Sequence, residues 1–145
     1  MNNNETIKKV LKETEPKKRY LNNALMAFLF GGIISLIGQC FLEFYKHVLN
    51  FDEKTSCALM SISIILIASI LTGFGVFDKI GQVAGAGTYL PISGFANSMT
   101  SAAIESRSEG LVFGILSNMF KLAGTVIVAG VISAFIVSSI LFLVM

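Results

Sequence analysis

The chain has 145 residues, enough for one domain, of which 54 % are apolar and only 14 % charged. A soluble domain carries about 25 % charge, so this chain lacks the polar residues to cover a water-facing surface. Its mean hydropathy of +0.75 places it among integral membrane proteins. With one histidine and two cysteines, no His-based metal site or triad can be assembled, and no cofactor, metal or nucleic-acid partner is expected.

The first twenty residues, "MNNNETIKKVLKETEPKKRY", form a polar arm and do not have the short charge followed by an apolar core of a cleavable signal. Six of the eleven Lys and Arg lie between Lys8 and Arg19. By the positive-inside rule this arm, residues 1–23, is cytoplasmic and rests on anionic lipid. A first span of about 22 residues follows, "ALMAFLFGGIISLIGQCFLEFY" (24–45). Within it Gly31, Ser35 and Gly38 make a stripe of small residues suited to helix packing. A polar connector leads to a second span, "CALMSISIILIASILTGFGVF" (57–77), which returns the chain to the cytoplasmic side at Asp78 and Lys79. Cys40 and Cys57 fall in or beside these spans without CxxC spacing and read as small buried hydrophobes, a disulfide being the lesser alternative.

Residues 80–104 are apolar but interrupted. Gly81, Gly85, Gly87 and Gly94 disfavour a continuous helix, and Pro91 removes a backbone donor. A broken helix in lipid is tolerated only where protein or trapped water covers it. The segment is predicted to be a re-entrant hairpin: a short helix over 80–86, a turn at "GTYL", and a second helix beginning at Pro91. Full crossing is the alternative, and it reverses the side of the C-terminus. In the second helix Ser93, Asn97 and Ser101 recur at four-residue spacing with Thr100 beside them. A half-helix N-terminus aimed into the membrane suits an anionic solute. Gly85, Gly87, Pro91, Ser93, Asn97, Thr100 and Ser101 are therefore candidates for a permeation path. The same residue types also serve close helix packing, and that reading stands beside the first.

The patch Glu105, Arg107, Glu109 reads as a solvated turn. From Gly110 to Met145 the chain is apolar apart from Lys121. As one helix this stretch would be about 54 Å long, against about 30 Å of hydrocarbon. The favoured expectation is a shorter element, a bend near Lys121 and Gly124, and a third span over 122–144; the alternative is one helix that projects beyond the bilayer. Asn118, Lys121 and Thr125 share a helix face. Lys121 is either an interfacial anchor or a cation facing a conduit, so Asn118 and Lys121 join the path candidates. No Walker loop, zinc signature or nucleophile elbow is present, and Glu105 and Glu109 have no activated nucleophile beside them, so no enzymatic activity is expected.

The run "ILTGFGVFDKIGQVAGAG" followed by "PISGFANSMTSAAIESRSEGLVFGILSNMFKLAG" strongly resembles the stage V sporulation protein A membrane subunits of endospore-forming bacteria. "TSAA" at Thr100 to Ala103, "NMFKLAG" at Asn118 to Gly124 and the basic arm resemble the AC type rather than the AE type. The resemblance spans about residues 16–140. It implies a multi-pass protein of the inner spore membrane that moves dipicolinic acid with calcium, inward during sporulation and outward at germination. It also implies an AE-type membrane subunit and a soluble dipicolinate-binding subunit as partners, and channel behaviour responsive to membrane tension. One chain has too few spans to enclose such a route, so a homo- or hetero-oligomer is expected. A non-conducting scaffold and an unselective tension-gated osmolyte valve are the alternatives.

Overall fold

The computed structural model describes Ile7 and residues 19–144, and every regular element among them is helical. The rest of the basic arm lies outside the described residues. Three helices are long and apolar enough to cross a bilayer: Tyr20–Val48, Glu53–Gly73 and Leu111–Val144. Between the second and third the glycine-rich segment is broken into short helices. The protein is an all-α, polytopic membrane protein.

Helix α1 (Tyr20–Glu43) runs on through a single π turn, Phe44–Val48. The connector ends at Asp52, which caps α2 (Glu53–Gly73) by accepting from the Thr55 N–H at 3.2 Å and the Thr55 hydroxyl at 2.6 Å. These two donors, the hydroxyl first, hold the Asp52 carboxyl below its ordinary value. Helices α1 and α2 meet at Gly38, where a Cβ would stand 3.2 Å from the Ile64 methyl. The Tyr45 and Ser63 hydroxyls, 2.8 Å apart, join the same two helices farther along. Both cysteines are free and exposed, on the outer surfaces of α1 and α2 and not in a core.

The second helix stops four residues short of the expected end at Phe77. Gly75 adopts a left-handed conformation (φ +68°) and turns the chain, which only glycine does without strain. Phe77 instead belongs to α3 (Val76–Ala84), whose Phe77, Gly81 and Ala84 are buried while Asp78, Lys79 and Gln82 are exposed. The helix breaks at Gly85 (φ +53°), makes one turn as α4 (Ala86–Tyr89), and restarts as α5 (Ile92–Glu105). The break thus falls two residues earlier than the sequence predicts, and "GTYL" lies largely in a helical turn. Pro91 is the extended cap residue (ψ 171°) and not the first helical one, because its carbonyl accepts from Gly94 N–H at 2.9 Å. The innermost side chains are small: Ala68, Ala84 and Ala96, with Phe77 the one large addition. Ile65 and Leu71 pack against that core.

A 3₁₀ turn (Ser106–Glu109), Gly110 at φ +93° and a π turn (Leu111–Leu116) lead into α6 (Ser117–Val144). The bend expected near Lys121 and Gly124 is absent, and α6 is regular through both. A lone glycine costs a helix only about 1 kcal/mol, and no neighbour lies close enough to Gly124 to force a kink. The irregularity sits instead at Gly110 and the π turn. From Leu111 the helix is 34 residues, about 51 Å at 1.5 Å per residue.

Candidate functional site

The broken segment is clamped by backbone contacts that only glycine permits. Helix α4 lies on α1 so closely that a Cβ on Gly87 would collide with the Ala27 carbonyl, and Gly31 faces the Gly87 backbone at 3.6 Å. A Cβ on Gly94 would strike the Tyr89 carbonyl, and one on Gly81 the Tyr89 ring. That ring also meets Phe77 edge-on at 6.2 Å. Tyr89 therefore touches α3 and α5 from α4, a role its place between Gly87 and Gly94 only hints at. Of the stripe on α1, Gly31 and Gly38 sit at helix contacts, whereas Ser35 is exposed and its hydroxyl donates to Gly31 O at 2.9 Å.

The polar side chains of this segment turn inward. Thr88 donates to Gly85 O at 3.1 Å, a carbonyl that also accepts from the Thr88 and Tyr89 N–H groups, and Ser93 donates to Thr88 O at 3.2 Å. Asn97 is buried 2.7 Å from the Thr72 hydroxyl, which is also 2.7 Å from Ala68 O. A hydroxyl has one proton. The arrangement that satisfies all three groups has Thr72 donating to Ala68 O and accepting from the Asn97 amide NH₂. Thr72, which sequence reasoning passed over, thus ties α2 to α5. Thr100, Ser101, Pro91 and Gly85 are half-buried. Among the described residues no buried side-chain N or O atom lacks a partner, so the interior of one chain offers water little to hold.

A second polar group lies at the corner between α5 and α6. Asn118 donates to Ser106 Oγ at 2.8 Å and to Gly114 O at 3.1 Å. Gly114 in turn sits so near the Ser106 carbonyl that no Cβ fits. Beside this knot is a cleft of about 510 Å³ lined by Glu105, Ser106, Glu109, Asn118, Lys121 and Thr125. Lys121 is exposed there. The one close histidine–carboxylate contact among the described residues lies elsewhere, His47 Nε2 standing 2.9 Å from Glu43 Oε2. The structure therefore separates the path candidates into two groups: Ser93 and Asn97 within the bundle, Asn118 and Lys121 on an open polar face.

A broken, glycine-clamped segment between helices long enough to span, followed by a polar corner and a long apolar helix, defines a small multi-pass membrane protein. The chain matches the SpoVAC/SpoVAEB sporulation membrane protein family over residues 23–140 and belongs to it. It is 53 % identical over 138 residues to Stage V sporulation protein AC of Bacillus subtilis (strain 168), covering 95 % of this chain and 92 % of that protein. No solved structure matches it.

Proposed function

We propose that this chain is a channel subunit of the stage V sporulation A system, passing dipicolinic acid with calcium across the inner membrane of the forespore. Dipicolinate is a rigid, planar dianion at neutral pH and cannot dissolve in hydrocarbon. A route for it needs polar groups and water. The observation that carries the reading is the open polar cleft at the α5–α6 corner, where Lys121 and Asn118 offer donors to the dianion and Glu105 and Glu109 offer carboxylates to the calcium that accompanies it. Ionisable side chains at membrane depth mark solute routes. The buried polar side chains are already engaged, Thr72 with Asn97 and Ser93 with a backbone carbonyl, so the conduit forms between chains. The AE-type subunit or further copies of this chain supply the facing wall, and the soluble dipicolinate-binding subunit delivers or receives the solute.

The test is efflux from liposomes holding this chain with its AE-type partner, loaded with dipicolinate or with a neutral solute and then diluted into hypo-osmotic buffer. Lys121→Gln should slow dipicolinate about tenfold, the equivalent of 1.4 kcal/mol, while sparing the neutral solute and co-purification of the partner. Unchanged dipicolinate efflux would make Lys121 an interfacial anchor. A scaffold reading draws on the inward bonding of Ser93 and Asn97. It requires that efflux be the same whether or not this chain is present, provided the partner is inserted.

A further inference from the structure

A hollow of about 220 Å³ lies between α1, α2 and the start of the broken segment. Its wall is aliphatic and aromatic except for Thr88 and Ser93. Both hydroxyls already donate to carbonyls of their own segment. A buried water needs two to four polar partners, and an apolar cavity of about 150 Å³ stays dry and takes up hydrocarbon guests. This hollow is larger and, apart from those two hydroxyls already engaged with carbonyls, equally apolar, so its natural filling is hydrocarbon.

The hollow is not sealed. Ile33, Ile37 and Ile67 line it and are 43 %, 45 % and 40 % exposed. All three lie on helices long and apolar enough to span a bilayer, where the surrounding medium is acyl chain. A second hollow of about 500 Å³ shares Ile33 and Ile37 and continues along α1 to Phe44. Their lining residues run along α1 from Phe30 to Phe44, about 21 Å at 1.5 Å per residue, as a furrow whose outer part is walled by α1 alone. Half of a hydrocarbon core is about 15 Å deep, so the furrow accommodates the reach of one leaflet's chain. Lys46, two residues beyond Phe44, is an exposed cation just past the end of the furrow.

We propose that this furrow is a lipid site: one acyl chain of a bilayer phospholipid lies along α1 and ends in the hollow between α1 and α2. The two helices would then be joined by the lipid tail as well as by the Gly38 contact and the Tyr45–Ser63 hydrogen bond. The proposal stands on the shape and chemistry of the wall and is independent of what solute the protein passes.

The chain has no tryptophan, so Phe30→Trp places a single fluorophore on the furrow wall. The full chain in mild detergent is titrated with a phospholipid brominated on its acyl chains. Emission should fall along a saturable curve that ends at one lipid per chain. Phe135→Trp, on the exposed flank of α6, should dim in proportion to the lipid fraction with no plateau. Adding Ile37→Phe to the Phe30→Trp chain narrows the mouth and should raise the half-saturating lipid about tenfold, the loss of roughly two buried methylenes. Unfolding midpoints check that each variant folds. The idea is overturned if the Phe30→Trp signal follows the proportional pattern of α6. It is overturned equally if that signal does not respond, as it would if side chains of another subunit filled the furrow. Should Phe30→Trp not fold, native mass spectrometry of the unaltered chain decides: one phospholipid retained after delipidation and lost in Ile37→Phe supports the site, and no retained lipid refutes it.

Discussion

Between Tyr20 and Glu105 the helices cover one another through backbone contacts and short polar links. In α6, from Ser117 to Val144, no residue is buried. Both regions are apolar and both contain glycine. In lipid, however, apolar character does not drive helices together, since acyl chains are as apolar as leucine. What separates the two is geometry: Gly81, Gly87 and Gly94 each lie against another element, whereas Gly124 and Gly130 have nothing within 4 Å. A small residue in a membrane helix thus marks a place where packing is permitted. Whether packing occurs depends on a partner bent into reach, and here the break at Gly85 and the cap at Pro91 supply it.

The contrast can be broken most directly at the glycines. Gly87→Ala drives a methyl into the Ala27 carbonyl and should cost about 2–3 kcal/mol, read as a large fall in unfolding midpoint in mild detergent. Gly130→Ala should leave stability unchanged or raise it by up to about 1 kcal/mol. Equal losses at both positions would abolish the distinction drawn between the two regions. Asn97→Leu comes next, at about 1–2 kcal/mol, because it removes the partner of a buried hydroxyl. Its coupling to Thr72→Val in a double-mutant cycle should lie at about 0.6–1.7 kcal/mol, and zero coupling would mean that the Thr72–Asn97 bond contributes nothing.

At the boundary between the regions, Asn118→Ala should cost about 0.5–1.5 kcal/mol. Proteolysis near Glu109 should quicken as the corner loosens. The smallest effect is at the Asp52 cap. Its carboxyl titrates below the ordinary 3.8 in the folded chain because Thr55 donates to it. The group binds fewer protons when folded, so its stabilisation is complete above pH 3.8 and is lost as pH falls through the lowered pKa. The difference in unfolding midpoint between the natural chain and Asp52→Ala should shrink accordingly on acidification.

Hydropathy and the glycine and proline spacing were enough to read three spans and a broken segment between the second and third. Segment ends were less legible. Phe77 extends an apolar run, so hydropathy carries the second span through it. The left-handed turn at Gly75 and the amphipathic face of α3 are conformational facts that an average over residues conceals. The bend expected near Lys121 rested on a length argument that assumes a helix must fit the bilayer upright. With no element packed against α6 at Gly124, nothing competes with its internal hydrogen bonds, and the helix stays regular. At the site, the four-residue spacing of Ser93 and Asn97 identified a polar face. Thr72, 25 residues away from Asn97, could not be paired with it from spacing on either helix alone. The Ser106–Asn118 link is likewise tertiary: Ser106 opens the conspicuous "SRSEG" turn, but Asn118 lies eight residues beyond its end.

The seating of Gly87 on Ala27 has a bearing on descent. A position where main chain touches main chain admits no inherited side chain, however conservative, unless α1 shifts as well. The last helix carries no such veto within its own subunit. Divergence among relatives should therefore be sparse around residues 81, 87 and 94 and freer along residues 122–144, save where a neighbouring subunit imposes a constraint of its own. A future tally of substitutions along that helix would then trace the outline of whatever it touches.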